Sequence, residues 1–176
     1  RRFAVGAVAV ASVVALGAVI VLQPIDGPIV TPLAPMPLTA QPVVVDEILG
    51  GDSLVIRVDA PGPQWQQWST LTVRLAGVEV GDAELCHADV AREHLSTLLP
   101  VGALAWATVG ADRDADGRWP VFLWSNPTQF VNGVLAGAGD VRPITDEVPR
   151  EYVTAINQAA ELAFRRGMGI WGACAS

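Results

Sequence analysis

The chain has 176 residues, 51% of them hydrophobic and 16% charged, with a formal net charge of −7 and no Lys. A mean hydropathy of +0.39 is high for a purely water-soluble domain, yet only one long apolar run exists, which excludes a polytopic membrane protein. The negative balance repels phosphate at long range and disfavours generic nucleic-acid binding.

Phe3 to Leu22 is twenty residues without a charge, Pro, Asn or Gln. At about 1.5 Å per helical residue such a run spans roughly 30 Å, the thickness of a bilayer core. Residues 1–22 are therefore expected to form a single transmembrane helix. Arg1 and Arg2 precede it and no basic residue follows before Arg57, which places the N-terminus in the cytoplasm and the rest on the periplasmic side of the cell membrane. The alternative is a cleaved signal peptide, whose apolar core is usually shorter and leaves through a small-x-small site rather than Leu22-Gln23-Pro24.

Residues 23–42 carry Pro24, Pro28, Pro32, Pro35, Pro37 and Pro42 and read as an extended, polyproline-like spacer. An ordered arm of this kind needs a surface to lie against, which points to an integral membrane protein complex as partner. Residues 43–176 hold nine Arg against seventeen Asp and Glu, a net charge of −8, and fit one extracytoplasmic domain.

Within that domain strand-like runs dominate: Val43–Val45, Ser53–Val58, Leu71–Val80, Ala103–Val109 and Val121–Trp124, each bounded by Gly, Pro or Asp. Helical spacing of apolar residues predicts helices over about Ala88–Leu99 and Pro149–Arg166, the second stopped by Gly167. Five short strands with two or three helices suggest an α+β fold, a small closed barrel with helices packed on it. The chain has no zinc-type Cys/His spacing, and His87 and His94, seven apart near one helix, read as surface or satisfied polar groups. Cys86 and Cys174, an even pair outside the membrane, suggest a disulfide, with two free thiols as the alternative. Trp65 and Trp68 sit in a Pro/Gly-rich interruption and either pack back on the barrel or contact a partner or the membrane interface. Asp112–Gly117 starts like an EF-hand loop, but its twelfth position would be Leu123, so an acidic turn is expected.

Several segments, in order and register, resemble the staphylococcal-nuclease-like (thermonuclease) family over residues 43–172. Gly50-Gly51-Asp52-Ser53-Leu54 is similar to its D-G-D-T turn, and Val73 to Asp82 to its V-R-L-x-G-I-D-A-P-E segment. Asp116-Gly117-Arg118 is similar to Y-G-R, Val131-Asn132-Gly133-Val134-Leu135 to V-N-x-x-L-V, and Ala159 to Trp171 to a C-terminal A-x-x-A…G-(L/I)-W pattern. The resemblance implies a five-stranded oligonucleotide/oligosaccharide-binding type barrel with about three helices. It also implies Ca2+-dependent phosphodiester hydrolysis, in which carboxylates hold the cation, two Arg forks hold the phosphate and a Glu activates water.

Carried over by position, Asp52 and Glu79 stand at the metal-binding acids, Arg74 and Arg118 at the phosphate-binding arginines, and Asp82 at the general base. The two acids have exchanged lengths: Glu79 stands for an Asp and Asp82 for a Glu, each displaced by about 1.5 Å. A misplacement of about 1 Å at a reacting group costs on the order of 10²-fold, and Gly81 replaces a stiffening Pro. The expectation is a catalytically impaired, membrane-anchored domain serving as an accessory or scaffolding subunit, in a respiratory or transport assembly. No cofactor is expected, Ca2+ only if the ancestral site survives, and nucleic acid is disfavoured as a partner. The alternative is an anchored Ca2+-dependent phosphodiesterase acting on extracellular nucleic acid.

Overall fold

A computed structural model describes residues 34–80, 86–144 and 148–174. In chain order these form β1 (Gln41–Ile48), β2 (Ser53–Val58), β3 (Thr70–Leu75), β4 (Val78–Glu79), α1 (Ala88–Leu98), β5 (Leu104–Val109), β6 (Trp119–Asn126), β7 (Gln129–Phe130), α2 (Val131–Ala138), β8 (Arg142–Pro143), α3 (Arg150–Arg165) and α4 (Ile170–Ala173). The transmembrane expectation for residues 1–22, most of the spacer and Asp82 lie outside the described residues. No helix among the described residues is long and apolar enough to cross a membrane.

Five strands close into a barrel. The antiparallel order β3-β2-β1-β5-β6 is completed by a parallel pairing of β3 with β6, which sets Val73 against Trp119, Arg74 against Pro120 and Leu75 against Val121. The pattern of β-branched and apolar residues explains the interior: Val43, Val45, Leu54, Ile56, Val58, Val73 and Leu75 are all fully buried. β6 is buried continuously from Pro120 to Trp124 because helices cover its outer face. There Phe122 stacks on Tyr152 of α3 with ring centroids 4.1 Å apart, and Trp124 meets Phe130 at 5.3 Å.

Two segments differ from the sequence expectation. The run Leu71–Val80 is not one strand. It breaks at Ala76-Gly77, where Gly77 takes φ of +76°, a left-handed conformation that favours glycine. A Cβ there would also meet Ile156 Cδ1 at 2.8 Å. The break lets β3 join the barrel seam while β4 turns away to pair with β8, Glu79 opposite Arg142. Secondly, the spacer ends before Pro42, which is already in β1 opposite Trp106 of β5. Its missing N–H is tolerated because β2 pairs with β1 only from Val43, and the Pro42 carbonyl accepts from Asp59 N–H at 3.1 Å.

The end of the arm lies on the barrel itself. Ala34 is buried, and its carbonyl accepts from Trp124 Nε1–H at 2.9 Å, while Thr39 O accepts from Gln64 at 3.0 Å. Thus residues 34–40 have a surface to rest on within their own domain.

Among the described residues there are three helices of eight or more residues, together with the short α4. α2 was not read from periodicity. It is apolar on almost every side and packs on α3 through small residues, with Gly137 facing Ala159. Asn132 on α2 is a fully buried polar group. Its side chain accepts from Leu123 N–H at 3.0 Å and donates to Ala76 O at 2.9 Å and Val121 O at 3.2 Å. One amide thereby pins α2 to the β3–β6 seam.

Candidate functional site

The turn between β1 and β2 carries Asp52. Leu49 and Gly50 N–H both reach Ser53 O, at 2.9 and 3.0 Å. Gly51 must lack a side chain, because a Cβ would meet Ala91 Cβ at 2.5 Å and Val80 Cγ2 at 2.8 Å. This close approach brings α1 and the end of β4 against the turn. Asp52 then stitches the parts together: its carbonyl accepts from Leu75 N–H at 2.7 Å and its Oδ2 from Val80 N–H at 3.2 Å.

The arginines come from the barrel seam. Arg74 is on β3 opposite Ser53, and Arg118 directly precedes β6. The β5–β6 connection places Asp114 between them in an acidic turn closed by Gly117 at φ +76°, as the sequence suggested for this segment. Asp114 Oδ1 accepts from the N–H groups of Asp116 and Arg118 at 3.0 and 2.9 Å. Its Oδ2 accepts from Arg118 Nε at 2.9 Å and lies 3.6 Å from Arg74 Nε. Asp116 adds a contact to Arg118 at 2.8 Å. Burial works against the charged form of Asp114, but the Arg118 main-chain N–H, the Arg118 guanidinium and the Asp116 N–H outweigh it. Its carboxyl is held below the usual aspartate value. Arg74 Nε is buried and has no hydrogen-bond acceptor.

These elements enclose a cleft of about 530 Å³. Asp52, Arg74, Glu79 and Arg118 all line it, so four of the five residues singled out by position in the sequence converge; the fifth, Asp82, is not described. Helix α1 forms the facing wall and contributes Asp89 and Arg92. Sequence reasoning missed both. Their signal was the polar face of α1 opposite the buried Ala91 and Leu95.

Asp52 and Glu79 offer hard oxygen donors, but Asp52 Oδ2 is already engaged by Val80 N–H. Among the described residues no group of three or more His, Cys, Asp or Glu side chains is arranged to hold a metal ion.

The other singled-out residues are placed as follows. Cys86 and Cys174 form a disulfide with Cα atoms 5.8 Å apart. Trp65 is buried and meets Trp119 edge-on, centroids 6.5 Å apart, while Trp68 is 61% exposed with the Arg57 guanidinium 5.8 Å from its ring. His87 and His94 are satisfied polar groups. His87 Nε2 and His94 Nδ1 each meet one oxygen of the buried Asp140, the first at 2.9 Å. This trio ties α1 to the end of α2.

The fold and cleft define a class: a closed five-stranded α+β barrel with helices packed on it, compatible with an oligonucleotide/oligosaccharide-binding or nuclease-like build, with carboxylates and arginines lining one open site. No protein-family model matches the chain, and no curated protein matches it.

Proposed function

We propose that this domain binds a phosphate ester in the cleft, in the manner of the thermonuclease-like family it resembles, and hydrolyses it slowly or not at all. The observation that carries the reading is the convergence of Arg74 and Arg118, from separate segments, on one open cleft facing Asp52 and Glu79. Arg74 lines the cleft while Asp114 Oδ2 stands 3.6 Å from its Nε, so the guanidinium is held where its remaining N–H groups would meet a phosphate oxygen. Asp114 holds the Arg118 fork and stands beside Arg74, so the arginines are oriented before a ligand arrives.

Asp52 and Glu79 would hold a Ca2+ ion, which when bound supplies Lewis-acid polarisation of the phosphate. Turnover is impaired because Glu79 reaches about one methylene further than the acid expected there, and Asp82 about one methylene less. The apolar run Phe3–Leu22 supports a single-pass anchor with the domain outside the membrane. Binding without turnover suits an accessory subunit of an integral membrane assembly.

The test uses the full chain in detergent, with a fluorescent thymidine dinucleotide, in Ca2+ and in chelator. Expected are saturable binding, a loss of at least about tenfold in Arg118→Gln, and no cleavage over hours. Equal binding by wild type and Arg118→Gln overturns the reading. Rapid, chelator-sensitive cleavage replaces it with the phosphodiesterase.

A further inference from the structure

The far wall of the cleft carries a third arginine whose charge is met by no carboxylate among the described residues. Arg92 donates through one Nη to the Ile48 carbonyl at 3.2 Å. Among the described residues no acidic group lies within ion-pair distance of it, although Asp89 is one helical turn away. By contrast Arg74 and Arg118 have their charge met by Asp114. A guanidinium held by a single main-chain carbonyl keeps several N–H donors for a ligand.

Beyond Arg92 the surface changes sign. Asp89 and Arg92 also border an adjoining depression of about 510 Å³, whose other polar walls are Glu47, Glu93 and Ser96. Three carboxylates therefore line, with this arginine, the depression that a longer anionic chain would enter on leaving the cleft. The domain as a whole adds a net −8. A polymer with a phosphate at every step would meet repulsion that grows with each added unit.

Resting on the phosphate-ester reading above, we infer that the cleft takes a short ligand with two phosphate groups, not a nucleic-acid strand. One phosphate sits between Arg74 and Arg118, and Arg92 binds the second. The acidic rim of Glu47, Asp89 and Glu93 terminates the site. Arg92 is thus the residue that sets ligand length.

The experiment titrates the full chain, in detergent with Ca2+, with phosphorothioate-linked thymidine probes that resist cleavage. The probes are a dinucleotide, the 5′-phosphorylated dinucleotide and a 5′-phosphorylated 20-mer. Expected is tighter binding of the phosphorylated dinucleotide than of the plain one, and no gain for the 20-mer. Arg92→Gln should remove the gain from the added phosphate, about tenfold, and lower the salt slope for that probe by about 0.7. It should leave the plain dinucleotide unchanged. The pair Glu47→Gln with Glu93→Gln should raise affinity for the 20-mer. A wild-type 20-mer binding tenfold tighter than the phosphorylated dinucleotide overturns the inference. So does an Arg92→Gln variant that weakens both dinucleotides alike. Arg118→Gln without effect on the plain dinucleotide means instead that the underlying phosphate reading has failed.

Discussion

Replacing Asn132 by Ala should unfold the barrel seam more than any surface change in the domain. The side chain is fully buried and makes three hydrogen bonds to main-chain groups. Val121 O retains a second donor, the Ala76 N–H at 2.8 Å, so two groups are orphaned: Leu123 N–H and Ala76 O. Each buried orphan costs about 1–3 kcal/mol, so the two together cost about 4 kcal/mol as a central value. Against a total stability of roughly 5–15 kcal/mol this is a large fraction. With a urea slope of about 2 kcal/mol/M the midpoint falls by about 2 M. The assay is urea unfolding of the full chain in detergent, followed by Trp fluorescence. Asn132→Leu separates causes, since it fills the space and still orphans both groups, and it should fall nearly as far. A shift below about 0.5 M for both variants, with unchanged slope, would refute the claim that this amide holds α2 to the seam.

Gly51→Ala should push α1 away from the Asp52 turn, because its Cβ would sit 2.5 Å from Ala91 Cβ. The expected cost is about 1–3 kcal/mol, seen as a lower Tm with weakened ligand binding. Replacing Cys86 and Cys174 together by Ser opens a loop with a sequence separation of 88, and on loop-entropy grounds should cost about 4–5 kcal/mol, read as the denaturation midpoint against wild type. Asp114 has a depressed folded-state pKa, so its contribution is present above the ordinary aspartate range and is lost as pH falls through the depressed value. Acid unfolding scans below about pH 4 should therefore flatten in Asp114→Asn; an unchanged acid limb counts against this assignment.

Much of the barrel was legible because its residues obey local rules. Ser53–Val58 was read with the bounds the structure gives, and α1 and α3 were bounded within one residue, since each has an apolar stripe beside a polar face. α2 was not, because Val131–Ala138 is buried on most sides and holds two Gly, leaving no polar face to set a period. The break at Gly77 was hidden in a continuous apolar run, where only the left-handed φ distinguishes a turn. Asp52, Arg74, Glu79 and Arg118 were found through motif spacing. Arg92 and Asp114 were not, since what each touches is decided by chain segments returning from 44 residues away in one case and 40 in the other.

The bridge of Asp140 to His87 and His94 has an evolutionary consequence. Asp140 is 3% exposed, so losing both imidazoles would strand a buried carboxylate, and losing the acid would strand two ring nitrogens. Loss of one imidazole leaves the other contact in place, whereas loss of the acid breaks both. In other chains sharing this barrel the three positions should change as a set, with an apolar trio replacing the polar one at once. Although the acid lies 53 and 46 residues from its partners, a change at any one of the three alters what the other two can tolerate.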